Sequence, residues 1–201
     1  MKLHRALHLP AATTILAGAL LVGGVVSGPA TAHSSPARQT ATEQSAESAG
    51  SPRAALSTRA QTLQRARTWL TANKGRPVPY SQSARWRDGY RQDCSGYASM
   101  ALGLAKGRWG GPNTVALART RSLTRPIAMS ALKPGDLVID ADGSNKTRHV
   151  VIFEKWNNPA RTSYTAYEQR GSHGTTHRSL RYGLNANDQF DAFRPVQYGN
   201  N

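Results

Sequence analysis

Asp93-Cys94-Ser95-Gly96-Tyr97-Ala98-Ser99-Met100-Ala101-Leu102-Gly103-Leu104-Ala105 is the stretch on which the fold turns. It is small and apolar almost throughout and contains no proline, a composition that suits a buried helix starting at or just after the cysteine. Asp93 stands where an N-cap is wanted, and Gly103 weakens the helix towards its end. Downstream the character changes. Asp136-Leu137-Val138-Ile139, His149-Val150-Val151-Ile152-Phe153-Glu154 and Tyr164-Thr165-Ala166-Tyr167-Glu168-Gln169 are short β-prone runs set apart by Gly, Asn, Asp and Pro. Residues 178–182 and 191–194 add two more. Upstream, Leu56, Ala60, Leu63 and Leu70 recur at helical spacing beside Trp69 and predict an amphipathic helix ending near Gly75 and Pro77. Helices first and strands after describe an α+β domain, its N-terminal helices packed on a central antiparallel sheet.

The chain has 201 residues, room for one ordinary domain and a tail. Residues 1–32 read as a secretory signal peptide. Lys2 and Arg5 form a basic start, Ala11 to Val26 an apolar stretch, and Ala30-Thr31-Ala32 a small-residue cleavage site. Gly18, Gly23 and Gly24 interrupt the apolar stretch, where a membrane anchor wants roughly 20 strongly apolar residues, so no span is expected after cleavage. Residues 33–55 hold too little apolar surface to offset the entropy of ordering and read as a flexible tether. Residues 56–201 are the expected catalytic domain, in a monomer secreted to the cell exterior or wall.

The formal charge is +15, and loss of Lys2 and Arg5 would leave +13. Such a chain seeks anionic partners, among which export favours the polymers of a bacterial wall over nucleic acid. The arginines are scattered and no base-reading motif is present, so no specific nucleic-acid binding is expected.

Cys94 is the only cysteine, and a lone thiol outside the cell is a liability unless it has a task. A thiol attacks a carbonyl as thiolate, which a helix N-terminus, a histidine or both favour. The backbone amides at the start of the helix also point at developing negative charge, while Gly96 offers substrate a close approach to the backbone. His149 opens a β-prone run and is the expected base. A third group should accept a hydrogen bond from the other imidazole nitrogen, and Glu168 or Gln169 is placed to do so. His173 and His177 stand four apart, but neighbouring glycines and threonines argue for a loop there, so no metal and no cofactor is expected.

Four blocks together resemble the NlpC family of bacterial cell-wall cysteine peptidases and, more distantly, the cysteine, histidine-dependent amidohydrolase/peptidase group. They are Val78-Pro79-Tyr80-Ser81, Asp93-Cys94-Ser95-Gly96, Leu132-Lys133-Pro134-Gly135-Asp136-Leu137-Val138 and His149-Val150-Val151-Ile152, in the family's order and within roughly residues 58 to 195. The resemblance implies a papain-like fold, attack by Cys94 on an amide, proton transfer by His149, and Tyr80 beside the nucleophile to assist the oxyanion. It implies that Asp93 and Ser95 bind the free amine end of a peptidoglycan stem peptide. The family commonly places His, Asn or Gln third, whereas the related group uses Glu in a Glu-Gln context, so Glu168 is chosen first and Gln169 stays open. This chain also departs from the family between Ser81 and Arg91, a basic and aromatic segment, and at Trp156, read as core packing.

Peptidoglycan stem-peptide hydrolysis is therefore the leading expectation. Acyl transfer through the same thioester and a non-catalytic basic wall-binding module are the alternatives.

Overall fold

The computed structural model describes residues 57–199. The signal-peptide and tether readings, and Leu56, lie outside the described residues. No helix among them is long and apolar enough to cross a membrane.

Helix α1, Arg59–Thr68, opens on a capping box: the Gln61 amide donates to Thr58 Oγ1 at 3.2 Å while the Thr58 amide donates to Gln61 Oε1 at 2.9 Å. Its inward stripe differs from the expected one. Thr62, Ala66 and the following Trp69 are buried, Leu63 and Leu70 are half-buried, and Ala60 faces solvent. The helix stops at Thr68, short of Gly75: Trp69 is its C-cap, still helical in its own dihedrals, and Leu70 and Thr71 continue in tighter three-residue turns, while the Trp69 ring is buried with the indole N–H donating to Asp88 Oδ2 at 2.8 Å.

Helix α2, Cys94–Leu102, is buried at all nine positions. Asp93 caps it by accepting from the Gly96 amide at 2.7 Å, and Gly103, with φ of 69°, ends it in the left-handed conformation. The glycine that looked like a weakness inside a longer helix is its C-terminal stop. Gly96 also has a different task from the one expected. A Cβ there would come within 2.0 Å of the Arg91 carbonyl oxygen, so the glycine admits the protein's own backbone. A third helix, α3, spans Thr114–Arg119 and is capped by Asn113.

Six strands follow: β1 Thr124–Ile127, β2 Leu137–Asp140, β3 His149–Trp156, β4 Tyr164–Arg170, β5 Gly174–Leu180 and β6 Asp191–Pro195. They pair antiparallel in the order β1-β6-β2-β3-β4-β5, giving the α+β architecture. Pro126 lies on β1, an edge strand, where a missing N–H is tolerated. Alternation along the strands separates two apolar layers. Leu137, Ile139, Val150, Ile152 and Tyr167 pack with Tyr97, Ala101 and Leu102 of α2, whereas Val138, Val151, Phe153, Tyr164 and Leu180 form the second layer. Trp156 joins that second layer, its ring 5.2 Å from Phe153.

Asp136 ties these parts together from full burial. Its carboxylate accepts from Arg59 Nη1 at 2.8 Å, Arg194 Nη2 at 2.9 Å and the Lys133 amide at 2.9 Å, linking α1 to β6. The neighbouring Gly135, with φ of 87°, leaves no room for a Cβ against the Tyr198 hydroxyl, 2.7 Å from where it would stand. The Pro-Gly-Asp block is thus a structural corner.

Candidate active site

The fold delivers Cys94 on the first turn of α2 and His149 as the first residue of β3. Cys94 is 6% exposed, with Sγ 3.9 Å from Thr114 Oγ1 at the start of α3. The thiol lies near enough to the imidazole for its negative charge to help raise the pKa of the histidine. On its far side, His149 Nε2 lies 2.8 Å from Glu168 Oε2, which leaves Nδ1 as the nitrogen for the thiol. Cross-strand register explains the second contact: Glu168 pairs with Val151, so it shares a sheet face with the side chain two residues before, His149.

Glu168 is fully buried on a central strand, and its second oxygen, Oε1, accepts from Arg178 Nε and from Thr176 Oγ1, the latter at 3.3 Å. Arg170 Nε is 3.6 Å from the same oxygen. Burial by itself would raise the Glu168 carboxyl, but the hydrogen bonds from His149 and Arg178 and their positive charges outweigh it and hold the group below the usual range. Burial likewise opposes charge on His149. Hydrogen bonds to Cys94 and Glu168, together with their negative charge, win and push its pKa from 6.5 up to about 9. The ring is further braced edge-on against Tyr182 and Phe190, which stack on each other with centroids 4.5 Å apart.

Gln169 is elsewhere. One residue along β4 it points to the opposite sheet face, where its amide donates to the carbonyls of Val78, Pro79 and Gln92 at 3.2, 3.0 and 3.2 Å. Its own oxygen accepts from Thr175 Oγ1 at 2.8 Å. It staples the segment before the nucleophile to the sheet and does not touch His149.

Two adjoining cavities flank the pair. The smaller, about 220 Å³, is lined by Tyr80, Asp93, Cys94 and Ser95, and the larger, about 560 Å³, by His149, Glu168 and the Tyr182–Phe190 wall. Tyr80, Gln82 and Arg148 line both. The Tyr80 hydroxyl accepts from Gln82 Nε2 at 3.2 Å, and its pKa is raised, chiefly by burial and with a further contribution from the negative charge of Cys94, so it remains a donor. Asp93 and Ser95 both face Arg91: Nε donates to Asp93 Oδ2 at 2.5 Å and Nη2 to Ser95 Oγ at 2.8 Å.

The structure therefore gathers Tyr80, Asp93, Cys94, Ser95, His149 and Glu168 around one cleft. Sequence reasoning did not find Arg91 and Arg178 as partners of the two acids. Arg178 meets Glu168 only through register, since it pairs with Ala166 and so lies diagonally across from Glu168 between β4 and β5. His177 lies on β5, not in a loop, stacked on Tyr167 at 4.1 Å and 2.9 Å from Glu154 Oε2, whereas His173 sits in the preceding turn, 3.0 Å from the Gly171 carbonyl. The two histidines thus have separate partners. No protein-family model matches the chain, and no curated protein is similar to it.

Proposed function

We propose that the protein is an exported cysteine hydrolase, papain-like and of the NlpC type, that cleaves an amide bond in peptidoglycan stem peptides. The observation that carries this reading is the grouping of Cys94, His149 and Glu168, with the thiol at a helix N-terminus and an imidazole that feels the charge of the thiol and is fixed at 2.8 Å by a buried carboxylate. Each link has a chemical task. A histidine with a pKa of about 9 is an imidazolium at neutral pH, the partner a thiolate needs. Glu168, ionised and fixed by Arg178, holds the ring in orientation and favours that charge. The signal-like start and the strongly basic chain fit a wall polymer outside the cell.

In the reaction, Cys94 Sγ attacks the amide carbon, and the electron pair of the carbonyl moves onto oxygen. The amides at the start of α2 and the Tyr80 hydroxyl stabilise that oxyanion. Its collapse breaks the C–N bond as the His149 imidazolium gives its proton to the departing nitrogen, leaving a thioester on Cys94. Water then attacks the thioester carbon, His149 takes the proton, and the S–C bond breaks to return the thiolate–imidazolium pair. The test is incubation of purified stem peptides with wild type and Cys94→Ala. Turnover confined to wild type is expected, and absent turnover in both would remove this substrate.

A further inference from the structure

Resting on the hydrolase reading above, we infer that the cleft takes an amide whose flanking groups are neutral or carry carboxylates, and that it rejects a free ammonium end. Asp93 and Ser95 are the groups that the sequence resemblance assigns to binding such an end. Here an internal cation is already there. Arg91 bonds both, and its Nη1 is tied down to the Trp109 carbonyl at 2.8 Å. The other oxygen of Asp93, Oδ1, accepts from Ser95 Oγ at 3.1 Å and from the Gly96 amide at 2.7 Å. Arg91 and Asp93 have side chains only 14% exposed, so this is a largely desolvated pair. An incoming ammonium would find the carboxylate neutralised and would stand beside a guanidinium.

The larger cavity has the same bias. Among the described residues that line it Glu168 is the only carboxylate, and that group is engaged by His149, Arg178 and Arg170. Against it stand Lys146, Arg148, Arg170 and Arg178. Among the described residues neither Lys146 nor Arg148 is paired with a carboxylate, and Arg148 Nη1 donates only to the Gly143 carbonyl at 3.0 Å. Arg170 Nε is buried without a hydrogen bond, its nearest carboxylate being Glu168 Oε1 at 3.6 Å. Because His149 must protonate the departing nitrogen, the leaving half of the substrate lies in this basic cavity and the acyl half lies towards Arg91. Arg91 and Asp93 cancel on the acyl side, and Arg148, which lines both cavities, makes the potential positive on each side of the scissile bond, which favours carboxylates and repels ammonium.

The experiment uses one stem peptide carrying a free, an acetylated or a succinylated amine end, each with a carboxylate or a carboxamide on the leaving half. The expected order of kcat/KM is succinyl, acetyl, free amine, with about tenfold between the extremes, and the carboxylate leaving group is preferred to the carboxamide. Arg148→Gln should shrink both preferences to about threefold or less, and raised salt should do the same in wild type. Protection of Cys94 against iodoacetamide by the same peptides reads the order independently of turnover. The same order of protection without turnover keeps the charge selectivity and removes hydrolysis. A free-amine peptide that is cleaved or protects as well as the acetylated one overturns the inference and leaves the hydrolase intact. Neither turnover nor protection by any peptide overturns both.

Discussion

Asp136 and Glu168 are both fully buried carboxylates gripped by arginine, yet they are wired for different ends. Asp136 accepts from two guanidinium groups and a backbone amide, donors that never titrate near neutral pH. It is saturated and immobile, and it works as a strut between α1, the turn before β2, and β6. Glu168 spends one oxygen on Arg178 and Thr176 and keeps the other for His149, a group that can lose its proton and that opens onto a cleft. One titrating partner separates a strut from a component of the proposed active site.

The sharpest way to separate the two regions is His149→Ala. Stem-peptide turnover should fall by about 10⁴-fold or more while the folded structure, followed by circular dichroism, persists. Asp136→Ala should behave in the opposite sense. It leaves the guanidinium of Arg194 and the Lys133 amide facing an emptied buried site, so denaturant unfolding should register a loss of about 3–5 kcal/mol. Turnover per folded molecule should be unchanged. If Asp136→Ala instead abolished turnover at full stability, the strut reading would fail.

Glu168→Gln comes next in size. The amide keeps the shape but not the charge, and kcat/KM should drop by about 10²-fold. The basic limb of the pH profile, set in wild type by loss of the His149 proton at about 9, should move to lower pH. Stability carries the same signature. Because the folded pKa lies above the ordinary 6.5, protonated His149 adds stability that is complete below about pH 6.5 and is lost as pH rises through about 9. The Tm difference between wild type and His149→Ala should therefore narrow across that window. Smallest is Gln169→Ala, which removes three donated hydrogen bonds and leaves buried carbonyls without them. A loss of about 1–3 kcal/mol is expected in unfolding, with the His149 limb still near 9. A shift of that limb would return Gln169 to the site.

Much of the frame was legible because local chemistry and tertiary demand agree. Asp93 caps α2 as its side chain predicts, and four β-prone runs became strands in the expected places, while the fifth, expected at 178–182, begins at Gly174 within the segment read as a loop. Strand β1 escaped because Pro126 argues against a strand until one knows that it lies at an edge, and α3 is only six residues long. The insertion of β6 between β1 and β2 is a long-range choice that no local pattern announces. In the site, the residue types of Cys94 and His149 sufficed to nominate them. Choosing between Glu168 and Gln169 required knowing which face of β4 meets His149, and a shift of one residue reverses the answer. Arg91 lay in plain view two residues before Asp93, but its grip on Asp93 and Ser95 depends on a backbone approach that only Gly96 permits.

The central claim, that Cys94 is a nucleophile set up by His149, is tested most directly by alkylation with iodoacetamide at pH 7 in wild type and His149→Ala, with free cysteine as reference. Wild-type Cys94 should react faster than free cysteine, and His149→Ala should remove that advantage. Equal rates in the two proteins, at or below that of free cysteine, would contradict it.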